Sequence, residues 1–155
     1  MQQYIGTKLI EAEPESEFTF KAREKGVGQP VDSTTPDRDG YKVKYPDGYV
    51  SWSPKEAFEI AYRGNGKLSF GMAHYMMKYH GKKIARAGWN GKGMFLFLVK
   101  GSVFKVNRPP LLGIYPEGTE INYCPHIDMK TADGKVVPWL CSQTDADAED
   151  WEIVE

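Results

Sequence analysis

Seven consecutive residues, Arg86-Ala87-Gly88-Trp89-Asn90-Gly91-Lys92, gather a guanidinium, an indole, a carboxamide and an ammonium around two glycines. An aromatic plane can stack on a nucleobase for roughly 1–3 kcal/mol. A guanidinium can grip a phosphate through two parallel hydrogen bonds. The Asn90 amide can both donate and accept, which suits a base edge or a ribose hydroxyl. Glycines let the backbone approach a ligand closely. Together these residues form a toolkit for holding a nucleotide. The same spacing also suits a Trp89 that plugs the end of a core while Arg86 and Lys92 stay in water. Residue types alone leave both readings open.

Other chemistry is thinner. His126 and Asp128 form an H-x-D pair that a strand would place on one face, where it could serve acid–base work or a metal. A metal site needs a further ligand or two, and no other residue has the spacing. Local hydrogen bonds explain the pair as well. His74 and His80 have no carboxylate four residues on. Cys124 and Cys141 show neither a nucleophile signature nor a paired metal spacing. They read as small apolar side chains in a reducing compartment, with a disulfide as the alternative. GWNGKG lacks the strand–loop–long-helix context of a phosphate loop. Asp145, Asp147, Glu149 and Asp150 read as a solvated turn and helix start whose charge would repel phosphate. Gln143 and Thr144, just before them, are neutral and suit hydroxyls.

The elements that must position these residues alternate quickly. Residues 3–11 read as a strand and 12–40 as a loop with Pro14, Pro30 and Pro36. YKVKYPDGYVSW reads as a hairpin turning at Pro46-Asp47-Gly48. Ser53, Pro54 and Glu56 predict a capped helix with Ala57, Phe58, Ala61 and Tyr62 on one face. RGNGK, residues 63–67, is the best linker candidate. Ser69 caps a second predicted helix, with Phe70, Ala73, Met76 and Met77 at helical spacing and Gly81 as its stop. KIARA and MFLFLV read as strands around a GWNGKG turn. Residues 101–125 read as irregular, and HIDMKTADGKVVPW as a hairpin turning at Asp133-Gly134. SQTDADAEDW reads as a capped turn or short helix, and WEIVE as a closing strand.

The fold class predicted is therefore α+β, with mostly antiparallel short strands and two short helices. Two domains are expected, residues 1–66 as an N-terminal accessory module and 67–155 as the main domain. The module is close to the lower size limit for an independent core. Lys plus Arg number 20 against 21 acids, for a net charge of -1, so no global basic field exists to hold long nucleic acid. No apolar run approaches the ~18 residues of a membrane span. The N-terminal residues lack the pattern of a signal peptide. A cytosolic protein is expected.

LSFGMA, GKKIARAGWNGKGMFLFLV, PPLLGIYPEGTEINY, PHIDMKTADGKVVPWL and SQTDADAEDWEIV occur in this order across residues 67–155. In combination they resemble the phage Thoeris anti-defence proteins of the second described type. The resemblance implies a sponge rather than an enzyme. Such a protein binds and sequesters a glycocyclic ADP-ribose, the signal of bacterial Thoeris immunity, in the cytoplasm of the infected host. It also implies a homotetramer with pockets at subunit interfaces, no metal and no cofactor. In some members cyclic oligonucleotides bind at a separate site. By motif position Phe70 and Trp89 would be the stacking aromatics and Asn90 a polar neighbour. Asp128, Gln143 and Thr144 join them as further contacts, beside Arg86 on a phosphate. The chain departs from the pattern in its extra N-terminal module and in the bulky Tyr75, Tyr79 and His80 of the second helix. Two alternatives stand beside the sponge: a phage protein-binding or structural module, and a hydrolase of the signal using His126 and Asp128.

Overall fold

A computed structural model describes residues 1–24 and 36–155. The chain is α+β and forms two compact units, residues 1–63 and 64–155.

In the first unit, β1 (Glu11–Pro14), β2 (Gly40–Lys44) and β3 (Val50–Pro54) make an antiparallel sheet in that order. Helix α1 (Glu17–Glu24) follows β1, and α2 (Lys55–Ala61) follows β3. The strand predicted over residues 3–11 starts only at Glu11. Tyr4, Ile5 and Leu9 are exposed, and what selects the strand is charge. Glu11 pairs with Lys44 at 3.2 Å and Glu13 with Lys42 at 2.8 Å across the β1–β2 register. The loop predicted over 12–40 contains α1, because Glu17 accepts both Arg38 and Lys21 at 2.6 Å; residues 25–35 of that loop lie outside the described ones. The predicted cap of the next helix also differs. Ser53 and Pro54 are still paired with Tyr41 and Gly40 in the sheet, so no side chain caps α2. Its Ala57 and Ala61 are exposed, while Phe58 stacks on Tyr41 at 4.1 Å and meets Tyr62 at 5.0 Å. Gly40 is required: a Cβ there would sit 2.4 Å from the Trp52 ring.

The second unit is an antiparallel sheet in the order β10 (Trp151–Val154), β4 (Lys83–Arg86), β5 (Phe95–Val99), β8 (His126–Lys130), β9 (Val136–Pro138). Helix α3 (Phe70–His80) is capped by Ser69, whose Oγ accepts the Met72 amide, and stops at Gly81 in the left-handed region, φ 64°. Two one-turn helices, α4 (Ala87–Asn90) and α5 (Gln143–Ala146), complete it. Five helices thus replace the two predicted among the described residues. Short turns such as α4 carry no periodic signal. The stretch 101–125, predicted irregular, holds a separate antiparallel ribbon of β6 (Ser102–Lys105) and β7 (Glu120–Tyr123).

Alternation sorts the main sheet into two faces. Ile84, Leu96 and Trp151 point to the core, where they meet Leu68, Ala73 and Met77. Ile127 and Met129 of β8 pack against the same cluster. Their neighbours His126, Asp128 and Lys130 therefore point to the other face, in register with Val99, Phe97 and Phe95.

Candidate aromatic binding site

Trp151 organises the site from beneath. It is fully buried, and its indole N–H donates to the Asp145 carbonyl at 2.9 Å. Three half-buried rings surround it: Phe70 at 5.2 Å, Trp89 edge-on at 5.5 Å, and Trp139 edge-on at 6.2 Å between centroids. Phe70 and Trp139 also meet at 5.8 Å. These are ordinary spacings for tilted and edge-to-face pairs. For Trp89 the structure shows the core packing and leaves part of the ring exposed. It packs on the core through Trp151, yet it is only half-buried and sits on a one-turn helix at the domain surface.

Arg86 is the clamp of this arrangement. Its Nη1 donates to Asp145 Oδ1 at 2.8 Å and its Nε to Asp150. Its guanidinium lies 5.9 Å from the Trp151 ring centre. The Asp150 carboxylate, and then Asp145, hold the guanidinium above its already high ordinary value. The acids predicted to be a solvated run therefore have a structural partner in these two members. The Ala87 amide donates to the Asp150 carbonyl at 3.0 Å, which fixes the start of α4 and so the place of Trp89. Arg86 has five N–H donors, and its Nη2 keeps two of them outside these bonds.

The remaining predicted residues fall in different places. Asn90 closes α4, and its side chain lies outside the described ones. Gln143 and Thr144 are exposed in the first turn of α5, where Ser142 Oγ accepts the Asp145 amide at 3.1 Å and lies 2.9 Å from the Thr144 hydroxyl. Asp128 is on the opposite face of the sheet. Its Oδ1 is shielded from solvent with no hydrogen-bond partner among the described residues, and His126 Nε2 lies 3.6 Å away. The His126 Nδ1 is 3.2 Å from the Cys124 carbonyl. Among the described residues no three His, Cys, Asp or Glu side chains gather into a metal cluster. Cys124 and Cys141 are free thiols, and burial pushes the Cys141 thiol up. The residue the sequence reasoning missed is Trp139. It follows the short β9, and its amide donates to the Ile127 carbonyl at 2.9 Å. The motif PW after two valines carried the only available hint.

Residues 68–154, the segment that holds all four rings, match the family model for the Thoeris anti-defense 2-like domain. The chain belongs to this family. It is 43% identical over 88 residues to Thoeris anti-defense 2 of Bacillus phage SP01, covering 57% of this chain and 96% of that protein. The N-terminal unit lies outside the family match. No helix among the described residues is long and apolar enough to cross a membrane.

Proposed function

We propose that this chain is a phage anti-defence sponge, acting in the cytoplasm of the infected host, that captures glycocyclic ADP-ribose without cleaving it. Residues 67–155 act as the binding domain and residues 1–66 as an accessory module. The observation that carries the reading is the set of half-buried rings, Phe70, Trp89 and Trp139, fixed on a buried Trp151 inside the family segment. Trp89 stacks on the adenine. Asn90, Gln143 and Thr144 take ribose hydroxyls, and the spare Nη2 of Arg86 takes a phosphate oxygen. Arg86 cannot rotate wholly to the ligand without abandoning two carboxylates, so it acts as donor and brace together.

Capture of a scarce signal needs a dissociation constant on the order of nanomolar, about -12 kcal/mol. One stacked base contributes roughly 1–3 kcal/mol of that. Enclosure must supply much of the rest. Asp128 lies on the sheet face away from Trp89, so a pocket that uses both residues draws them from two subunits. This supports pockets between subunits, as in the homotetramer that the family resemblance implies. The part-exposed Asp128 carboxylate then accepts a ribose hydroxyl of ligand seated on its neighbour.

The test is recovery. Protein is loaded with glycocyclic ADP-ribose, washed and heat-denatured, and the released nucleotide is identified by mass. Intact ligand at one equivalent per pocket is the expected result. Fragments would favour the hydrolase reading with His126 and Asp128, and no retained nucleotide would favour a protein-binding module. Cyclic oligonucleotides added in the same assay test the separate site implied by the family resemblance.

A further inference from the structure

Helix α2 of the first unit uses only one of its sides to cover the sheet. Phe58 turns inward, stacked on Tyr41 and in contact with Tyr62. Two residues on, at 3.6 residues per turn, Ile60 lies on the opposite side of the helix. It is 78% exposed, and Ala57 and Ala61 beside it are exposed as well. A branched aliphatic side chain thus stands at the centre of an outer helix face, next to two alanines. Small residues beside a large one let a second helix come close and pack around it.

The two ends of the same helix carry opposite charge. Glu56 stands in the first turn, exposed and without an ion pair among the described residues. Arg63 folds back over the other end. Its Nη1 donates to the carbonyls of Glu59, of Ile60 at 3.4 Å and of Tyr62 at 3.3 Å, while its Nε and Nη2 lie outside these bonds. An acid at the start and a cation at the end both agree with the helix dipole. Glu59 belongs to the inner side, where its carboxylate accepts the Tyr41 hydroxyl at 2.9 Å.

We propose that α2 packs antiparallel on α2 of a second copy of this chain, about a two-fold axis between the two Ile60 side chains. In that orientation Glu56 of each copy faces Arg63 of the other, and both charge pairs form at once. A parallel pair would set like charges against each other, so charge selects the direction. A patch that complements itself in this way is what a two-fold contact requires. Ala57 and Ala61 let the axes approach to about 8 Å, the short end of helix packing. The helix has 7 residues and is about 10 Å long. So small a face falls short of the roughly 800 Å² per partner of a stable interface. The contact therefore joins accessory modules that are already close together, and its mark is a defined register instead of a change in mass. It is independent of the nucleotide reading, because none of its residues lies in 64–155.

The test is disulfide trapping in the full chain, with Cys124→Ser and Cys141→Ser in place because both native thiols are free. Ile60→Cys should form a covalent dimer under mild oxidation at least fivefold faster than Ala22→Cys, an exposed position on α1. Added to Ile60→Cys, Glu56→Arg should slow trapping at least fivefold, with the Arg63 cap left in place. Arg63→Glu should slow it as much. The two reversals in one chain, or a mixture of the two single variants, should restore the rate to within about twofold, since each acid again meets a cation. Equal rates for Ile60→Cys and Ala22→Cys would overturn the proposal, and so would an undiminished rate in Glu56→Arg. A mixture that stays slow while both variants keep their helix amide signals would overturn it as well. Where Arg63→Glu loosens the helix, Glu56→Arg alone decides.

Discussion

The two units hold their sheets together by different means. The second has a buried cluster in which Trp151 contacts helix, turn and strand residues, and the exposed chemistry rests on that cluster. Among its described residues the first has one buried apolar side chain, Val43, and is stitched by charge and ring contacts: Glu17 with Arg38 and Lys21, Glu13 with Lys42, and Tyr41 on Phe58. A binding residue needs a support that does not yield when ligand arrives. Trp89 has one, since its ring meets a side chain that cannot move without opening the core. Aromatic residues in the first unit such as Tyr49 are exposed without such a base. Residues 64–155 therefore offer the firmer support for the proposed binding site, and the first unit is the one sensitive to salt and acid.

The largest test of that contrast is Trp151→Ala. Loss of a fully buried indole should cost about 3–5 kcal/mol, read by denaturant unfolding. Amide exchange should rise through residues 64–155, and ligand capture should disappear with it. Gly40→Ala strikes the first unit instead. The new Cβ meets the Trp52 ring and the Ser53 carbonyl, and the overpacking should cost about 1–3 kcal/mol. An unchanged melting profile would show that Trp52 has another place to go. Arg86→Ala leaves Asp145 and Asp150 without their partner and should destabilise the second unit by about 1–3 kcal/mol. Its ligand affinity should fall with it, whereas Arg86→Lys should recover stability only in part, since an ammonium cannot span both acids.

The smallest effect is the acid response of the first unit. Hydrogen bonds from Arg38, then Lys21, hold the Glu17 carboxyl down at about 2, against an ordinary value of 4.5. A lowered folded-state value stabilises the fold above pH 4.5. That contribution is lost as pH falls from about 4.5 to about 2. Amide signals of residues 11–24 and 36–63 should weaken over this range. Glu17→Gln should flatten the change, and a wild-type-like acid profile in that variant would assign the loss elsewhere.

How far these features were legible in the sequence depends on what encodes them. The Ser69 cap, the Gly81 stop and the strand signals in MFLFLV and HIDMK are local, and they appear where expected. The antiparallel α+β character followed from them. Long-range pairing was not legible. Arg86 looked like a free phosphate ligand because Asp145 and Asp150 are 59 and 64 residues away. Ser53 looked like a cap because nothing local says that β3 extends past it to pair Pro54 with Gly40. The β6–β7 ribbon was hidden by four prolines around it, and Trp139 by the brevity of β9. Phe70 and Trp89 were brought together only by the family resemblance, and their common base, Trp151, became visible only in three dimensions.

The account turns on whether Trp89 faces ligand as well as core. Calorimetric titration of glycocyclic ADP-ribose into the wild-type chain and into Trp89→Ala measures this directly, with size-exclusion elution to follow the assembly. Nanomolar binding by the wild type is predicted, with at least a tenfold loss in the variant and no change in elution. Equal affinities in the two proteins would contradict the account, and would return Trp89 to the core alone.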